Sequence, residues 1–328
     1  MILSSAALHS SVHEGDPELV PVRNGYGEGV LEAARRDERV VVLTADLAES
    51  TRVEAFAREF PKRFFEMGVA EQNMATVASG LALSGLIPFI SSYAAFSPGR
   101  NWEQIRTTVA YNGANVKIAG HHAGISVGPD GATHQAIEDI ATMRVMPGMR
   151  VVVPCDATEA RRATLAAAET EGPVYLRLAR EKTPLVTTGE TPFSLGRAEV
   201  FFRSIAPRIL IAACGPLVFQ ALRAAQALDS EGIGATVLNV HTIKPLDAET
   251  ILREASAVQA VVSVEEHQVI GGLGGALAEL FARELPRRMA FIGMQDTFGE
   301  SGPPEALLSA YGMTAPSIAS AARRLVAE

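Results

Sequence analysis

The sequence predicts an α/β protein of two domains, in which helices cover both faces of parallel sheets. The chain has 328 residues, which corresponds to two domains at about 150 residues each. Hydrophobic residues make up 48% of the chain and aromatic residues only 6%, so Ala, Val, Leu and Ile fill the core. Short apolar runs alternate with segments of helical periodicity, and this alternation is typical of parallel sheets.

Six short apolar runs predict the strands of the first domain. They lie at 40–45, 63–67, 86–90, 116–120, 151–154 and 174–178. Because helical patterns separate them, we expect parallel strands. We place this domain at residues 19–185, after a loose N-terminal arm of residues 1–18.

A second, smaller α/β domain is expected at residues 197–328. Residues 186–196 lie in a stretch rich in Thr, Pro and Gly that has no sustained period, and we interpret them as a linker. The elements that predict the second domain are a strand at 208–213, a helix carrying Val218, Leu222, Ala225 and Leu228, and strands at 236–240 and 260–264.

Charge and cysteine content exclude several classes of protein. The net charge is −8 and no basic run of five residues occurs, so we expect no nucleic-acid partner. Cys155 and Cys214 are each isolated in the sequence, which excludes a paired-cysteine metal site and a disulfide framework. The first residues lack the basic segment of a secretory signal, so we expect a cytoplasmic protein.

Residues 72–99 contain no charged side chain and are numerous enough to span a bilayer. Polar residues interrupt the run, and its period changes from helical spacing to a short apolar block at 86–90. We therefore expect a buried helix followed by a buried strand, and no membrane segment.

Glu71 begins this uncharged helix, directly after a predicted strand and the turn at Gly68. Burial among apolar groups raises the pKa of a carboxyl, whereas the helix N-terminus lowers it. The position is compatible with an acid–base group and with a residue that only stabilises the helix dipole.

Three of the seven histidines fall within fourteen residues, in a segment with four glycines. They are His121, His122 and His134, and Asp130 lies among them. The glycines allow sharp turns and close approach to a ligand. Neither an HExxH motif nor a paired Cys/His spacing accompanies the histidines, so we interpret the segment as the lining of a sugar or phosphate pocket and expect no metal site.

The glycine-rich segment 270–280 has Leu277 where a dinucleotide loop requires its third glycine. We interpret it as the entry to a helix. Trp102, the single tryptophan, is expected in the core or at an interface.

Four segments together resemble the C-terminal half of a transketolase, and in particular the small subunit of a split, two-chain transketolase. They read RVVVLTADLAES, FFEMGVAEQNM, GHHAGISVGPDGATHQAIEDIATMR, and the pair VLNVHTIKPLD and VVSVEEHQVIGGLGG. The resemblance extends over residues 20 to 325. It implies a thiamine-diphosphate pyrimidine-binding domain followed by the C-terminal domain of the family.

The resemblance gives the candidate residues specific roles. It implies that Glu71 hydrogen-bonds the aminopyrimidine and activates the cofactor, which transfers a two-carbon unit from a ketose to an aldose. It makes His122 and His134 further catalytic candidates. Asp46, Tyr93 and Phe96 correspond to the cofactor pocket, and where fused transketolases have another aromatic the candidates here are Phe96, Arg100 and Trp102.

On the substrate side, the resemblance implies two groups of contacts. Asp130 and His134 match positions that bind the donor's hydroxyls. The positions that grip a terminal phosphate are matched by Arg23, Ser50, His122 and Arg180. Two guanidiniums and neutral donors suit a dianion, so a sugar phosphate is the expected substrate.

Thiamine enzymes of this kind hold the diphosphate through Mg²⁺ at a GDG motif, and this sequence contains no GDG. We therefore expect thiamine diphosphate and Mg²⁺ to be completed by a large partner subunit, in an α2β2 assembly. The alternatives are a 2-oxo acid dehydrogenase E1 β-type subunit, a 1-deoxyxylulose-5-phosphate synthase-like chain and a non-catalytic scaffold paralogue. Asp130 and His134 favour a sugar, and retention of Glu71 argues against a scaffold.

Overall fold

The computed structural model describes residues 1–13 and 17–327. It has mixed, mostly parallel sheets with helices on both faces, which confirms the expected α/β class. The strands are β1 (Leu19–Pro21), β2 (Val40–Thr44), β3 (Phe64–Glu66), β4 (Ile87–Tyr93), β5 (Lys117–His121), β6 (Arg150–Val152), β7 (Val174–Arg177), β8 (Lys182–Pro184), β9 (Glu199–Arg203), β10 (Ile209–Ala213), β11 (Ala235–Asn239), β12 (Thr242–Lys244), β13 (Ala260–Gln268) and β14 (Arg288–Met294).

The helices lie between these strands, as the alternating pattern predicts. They are α1 (Val22–Arg36), α2 (Glu54–Glu59), α3 (Glu71–Leu83), α4 (Trp102–Gln104), α5 (Asp139–Arg144), α6 (Ala157–Glu169), α7 (Leu217–Ser230), α8 (Ala248–Ser256), α9 (Leu273–Glu284), α10 (Pro304–Ala310) and α11 (Ala315–Ala327). Helix α4 continues as a π-helical segment over Ile105–Ala110.

The first sheet has seven strands in the order β12-β6-β7-β5-β4-β2-β3. All its pairs are parallel except β12 with β6, so a strand from the second half of the chain closes one edge. Alternate residues of β2 face opposite layers. Val40 and Val42 pack with α1 and α6, whereas Val41 and Leu43 pack with α3 and the π-helical segment.

Helices α1 and α6 approach each other very closely on one face of this sheet. A Cβ at Gly25 would lie 1.8 Å from the carbonyl oxygen of Ala157. Glycine is therefore required at this crossing, where any side chain would push the helices apart.

The second sheet has five strands in the order β14-β13-β10-β11-β9, and only β9 is antiparallel. Helices α7 and α11 cover one face through residues such as Leu222 and Ile318. Helices α8 and α9 cover the other through Ile251 and Leu277, in a core that is continuous with that of the first sheet.

The N-terminal arm is packed rather than loose. Ile2 bridges Phe202 of β9, and Ala6 and Val12 are buried in the core beside the second sheet. The expectation failed because these apolar side chains are buried by residues about 200 positions away, and no local pattern reports that contact. Residues 14–16 of the arm lie outside the described residues.

The uncharged run 72–99 contains a helix and a strand, as expected, but the helix is not fully buried, whereas β4 is buried from Ile87 to Ser92. The exposed face of α3 consists of Gln72, Asn73, Thr76, Gly80 and Leu83. Among the residues that the structure describes, no helix is long and apolar enough to cross a membrane.

The glycine-rich segment leads into α9, as predicted. The carboxylate of Glu265 accepts backbone N–H bonds from Leu273 and Gly274 at 2.7 and 2.8 Å. The protein's own side chain thus occupies this helix N-terminus, where a dinucleotide loop would bind pyrophosphate.

Candidate active site

The predicted site residues converge at one edge of the seven-stranded sheet. Tyr93 ends β4, His122 follows β5 directly, Asp46 lies two residues after β2, and Arg180 lies three residues after β7. Glu71 begins α3, which follows β3. The carboxyl ends of parallel strands share one edge, which is where open α/β sheets bind ligands.

Tyr93 is the centre of an aromatic cluster at this edge. The ring of His122 stacks on it with centroids 3.9 Å apart, and Phe96 stacks near it at 5.9 Å. His134 lies edge-on to Phe96 at 5.4 Å. Tyr93 and Phe96 are only half-buried, so the cluster presents flat aromatic surface at the sheet edge.

The carboxylate of Glu71 is buried next to this cluster, with 1% of the residue exposed. Its Oε2 accepts a hydrogen bond from Arg100 Nη1 at 2.7 Å. The amide of Asn101 donates to the Glu71 carbonyl at 3.0 Å and to the Ser97 hydroxyl oxygen at 3.1 Å. The segment after β4 therefore fixes both the backbone and the side chain of Glu71.

Phe96 belongs to the aromatic cluster and Arg100 packs on it, whereas Trp102 points elsewhere. The Arg100 guanidinium lies over the Phe96 ring, 4.7 Å from its centroid. Trp102 instead donates its indole N–H to the carbonyl of Thr142 at 3.1 Å and packs on the core. Of the three candidates in this segment, Phe96 and Arg100 are therefore the pair beside Glu71.

A group of cations, Arg23, Arg52 and Arg180, lies near His122. Arg23 Nη1 donates to the Ser50 carbonyl at 2.9 Å, and Arg180 Nη1 donates to the Val127 carbonyl at 2.6 Å. Burial, followed by the charges of Arg52 and Arg180, lowers the pKa of Arg23. Within the described residues, the buried Nε of Arg23 has no hydrogen-bond partner. This combination of crowded positive charge and a free donor suits an anion.

The remaining predicted residues lie at the rim. Asp130 is exposed, with a carboxylate oxygen 3.6 Å from Arg180 Nη1. The Nδ1 of His134 lies 2.9 Å from the Thr133 hydroxyl. Asp130 borders the cation group, and His134 borders the aromatic cluster. The cation group and the aromatic cluster are therefore adjacent parts of one site.

Asp46 occupies a left-handed turn, with φ of 60°. Glu66, which the sequence analysis did not select, accepts the backbone N–H groups of Asp46 at 2.7 Å and Gly68 at 3.0 Å. Arg52, with φ of 63°, was also missed, although its charge reaches both Arg23 and His122. Glu66 lies within the segment FFEMGVAEQNM and Arg52 follows the segment RVVVLTADLAES, but only the folded structure reveals these contacts.

We predict that His122 stays neutral throughout the physiological pH range. Burial lowers its pKa to about 3, and Arg23, Arg180 and Arg52 contribute further. Because the unfolded chain protonates near the ordinary value of 6.5, it binds the additional proton first as pH falls. The free energy of unfolding contributed by this group therefore declines from about pH 6.5 to about pH 3.

Histidine ring resonances in ¹³C-labelled protein measure this directly. The resonance that disappears in H122Q identifies the residue, and it should not titrate above about pH 5. A midpoint near 6.5 would contradict the expected neutral state.

The donor set fits two kinds of ligand group. A buried carboxylate beside flat aromatic rings suits a nitrogen heterocycle, and two arginines with a neutral imidazole suit a phosphate dianion. Within residues 1–13 and 17–327, no cluster of three or more His, Cys, Asp or Glu side chains has the arrangement to hold a metal ion.

Two family models match the chain. The model for the transketolase pyrimidine binding domain matches residues 19–186, and the model for the transketolase C-terminal domain matches residues 196–318. Together they extend over most of the chain.

Similar proteins include chains of nearly the same length. The 6-deoxy-6-sulfo-D-fructose transketolase subunit SqwH of Clostridium sp. (strain MSTE9) is 41% identical over 93% of this chain and 94% of its own. A subunit of the apulose-4-phosphate transketolase of Phocaeicola vulgatus is 35% identical over 94% of this chain and 98% of its own. A solved structure titled as a split gene transketolase, inactive beta4 tetramer, has a TM-score of 0.85 at 43% identity, covering 94% of this chain and 98% of that chain.

Proposed function

The chain belongs to the transketolase family, and from this premise we propose that it is the small subunit of a two-chain, thiamine-diphosphate-dependent enzyme. In this proposal the enzyme transfers a two-carbon ketol unit from a phosphorylated ketose to an aldose. The observation that carries the proposal is the buried carboxylate of Glu71 beside the Tyr93–Phe96 surface, with the cation group directly adjacent.

Glu71, Tyr93, Phe96 and Asp46 would hold the cofactor. Thiamine diphosphate, when bound, supplies a nucleophilic carbon and an electron sink. Phe96, and Tyr93 with His122 stacked on it, would pack against a pyrimidine ring, and Glu71 would hold or donate a proton at a ring nitrogen. Asp46 would lie towards the thiazolium, on the turn that Glu66 fixes.

Arg100 lies where the pyrimidine ring would bind in this arrangement. Its guanidinium forms an ion pair with Glu71 and covers the Phe96 ring. A pyrimidine ring that packs on Phe96 would take the place of this guanidinium. We therefore propose that Arg100 turns towards solvent when the ring enters, which its 47% exposed side chain permits.

Arg23, Arg180, Ser50 and neutral His122 would grip the phosphate end of the sugar. The unpaired donor of Arg23 and the mutual repulsion of the arginines both favour a dianion at this position. Asp130 and His134, at the rim, would hydrogen-bond the hydroxyls of the donor.

A large partner subunit would supply the diphosphate and Mg²⁺ site, since the sequence has no GDG motif. The exposed face of α3 supports this part of the proposal. It carries no charge, Leu83 is 67% exposed, and Val69 just before the helix is 71% exposed. Depletion of charge is typical of protein–protein contacts. The related proteins named as transketolase subunits agree with a two-chain enzyme.

The two-chain assay tests this proposal. The chain is combined with a candidate large subunit, thiamine diphosphate and Mg²⁺, and two-carbon transfer from xylulose 5-phosphate to ribose 5-phosphate is measured. We expect transfer only in the mixture. If the complex binds the cofactor but transfers nothing from any phosphorylated ketose, the proposed reaction is wrong.

A further inference from the structure

Glu266 of the second domain contacts the loop that carries Asp130. Its Oε1 accepts a hydrogen bond from the backbone N–H of Ser126 at 2.7 Å. Gly124 makes room for it, because a Cβ there would lie 2.2 Å from the same oxygen, and φ of 89° favours glycine independently. The backbone of residues 124–131, here called the substrate loop, is therefore shaped around a side chain from the other domain.

Buried hydrogen bonds hold the strand that carries Glu266 against the first domain. Arg177 Nη2 donates to the Glu266 carbonyl at 2.8 Å, and its Nε donates to Asp139 Oδ2 at 2.8 Å. The Tyr175 hydroxyl donates to the same carboxylate oxygen at 2.6 Å. All four residues are buried, so the position of Glu266 relative to the first sheet is well determined.

The second domain also supports the far end of the substrate loop. Gln135 donates to the carbonyls of Ile125 and Glu300 at 3.2 and 3.0 Å. A Cβ at Gly131 would lie 2.4 Å from the Ser301 hydroxyl oxygen. The second domain thus contacts the loop near both of its ends.

Arg180, one of the candidate site residues, also holds the loop. It donates to the Val127 carbonyl at 2.6 Å and lies 3.6 Å from a carboxylate oxygen of Asp130. Glu266 and Arg180 therefore hold two neighbouring residues of the loop, Ser126 and Val127. Because Val127 directly follows Ser126, we expect a displacement at Ser126 to reach Arg180 and, further along the loop, Asp130.

We propose that Glu266 is a positioning residue, which fixes the substrate loop so that Asp130 and Arg180 face the substrate. The second domain then takes part in substrate binding without contacting the substrate. The substrate part of this inference rests on the proposed function, whereas the structural part does not.

Two variants of Glu266 and one neighbour separate this role from general stability. E266Q keeps one acceptor oxygen for Ser126, and E266A keeps none. The matched control is E265Q, because Glu265 is equally buried on the same strand but, among the described residues, accepts hydrogen bonds only from Leu273 and Gly274 inside the second domain.

Amide hydrogen exchange on the full chain is the first measurement. In E266A we expect exchange in residues 123–131 to accelerate by about tenfold or more, with a smaller change in E266Q. E265Q should change exchange at the start of α9 and leave the loop unchanged. Unchanged exchange in the loop of E266A, or equal loosening in E265Q, would overturn the proposal.

Steady-state kinetics of the reconstituted two-chain enzyme is the second measurement. In E266A we expect the donor KM to rise about tenfold, while kcat and the cofactor Kd stay within about twofold of the wild-type values. A donor KM unchanged in E266A would refute the positioning role. If the wild-type mixture transfers no ketol unit, the proposed function fails, and the exchange result alone decides the role of Glu266.

Discussion

Replacing Glu71 with glutamine should lower two-carbon transfer by about 10²- to 10⁴-fold, the contribution typical of a positioned acid–base group. E71Q keeps the size and the buried position of the side chain, so packing on α3 is retained. It removes the carboxyl's exchangeable proton, and it also removes the negative charge that pairs with Arg100. The measurement is kcat of the two-chain enzyme at saturating cofactor.

The matched control for E71Q is E59Q. Glu59 is also paired with an arginine, Arg35 at 2.7 Å, but it lies on the exposed surface of α2. We expect wild-type activity from E59Q, since exposed ion pairs contribute about 0–1 kcal/mol. If E71Q remains folded and retains more than about a tenth of the activity, Glu71 is not the acid–base group.

Replacing Arg180 with glutamine should lower kcat/KM for a phosphorylated donor by roughly 10¹- to 10³-fold, because a charge-assisted contact to the dianion is lost. For an unphosphorylated ketose, which makes no such contact, we expect a change of less than about threefold. The two donors are compared on one enzyme preparation.

This comparison contains its own control for loop displacement. Arg180 also holds the Val127 carbonyl, so R180Q could disturb the substrate loop. Displacement of the loop would affect both donors, whereas loss of the phosphate contact affects only one. An equal loss for both donors would contradict the assignment of Arg180 to the phosphate.

Buried parallel strands were predictable because both of their faces are covered. The run at 40–45 is apolar except for Thr44 for that reason, and its first five residues form β2, in which every residue is buried. The same reasoning failed for α3, because we took the absence of charged side chains in this helix as a sign that all of its faces are buried. An uncharged face is also typical of a subunit contact, and the sequence of a single chain does not distinguish burial within the chain from burial against a partner.

The site could be predicted where a motif carried it and not where distant segments meet. Glu71, Asp130 and His134 belong to recognisable segments, and they come together at one sheet edge because parallel strands end there. Arg100 could be selected only as one of three candidates, since its ion pair depends on the turn after β4. Glu266 was not selected, because its partner Ser126 is 140 residues away.

We propose that this chain provides one half of a catalytic site and that a large subunit completes it. The decisive experiment titrates the chain into a fixed amount of that subunit, with thiamine diphosphate and Mg²⁺ present. Two-carbon transfer should be absent from either chain alone, rise in proportion to the added chain, and level off at equal amounts. Ketol transfer by this chain alone, or by the large subunit alone, would contradict the claim.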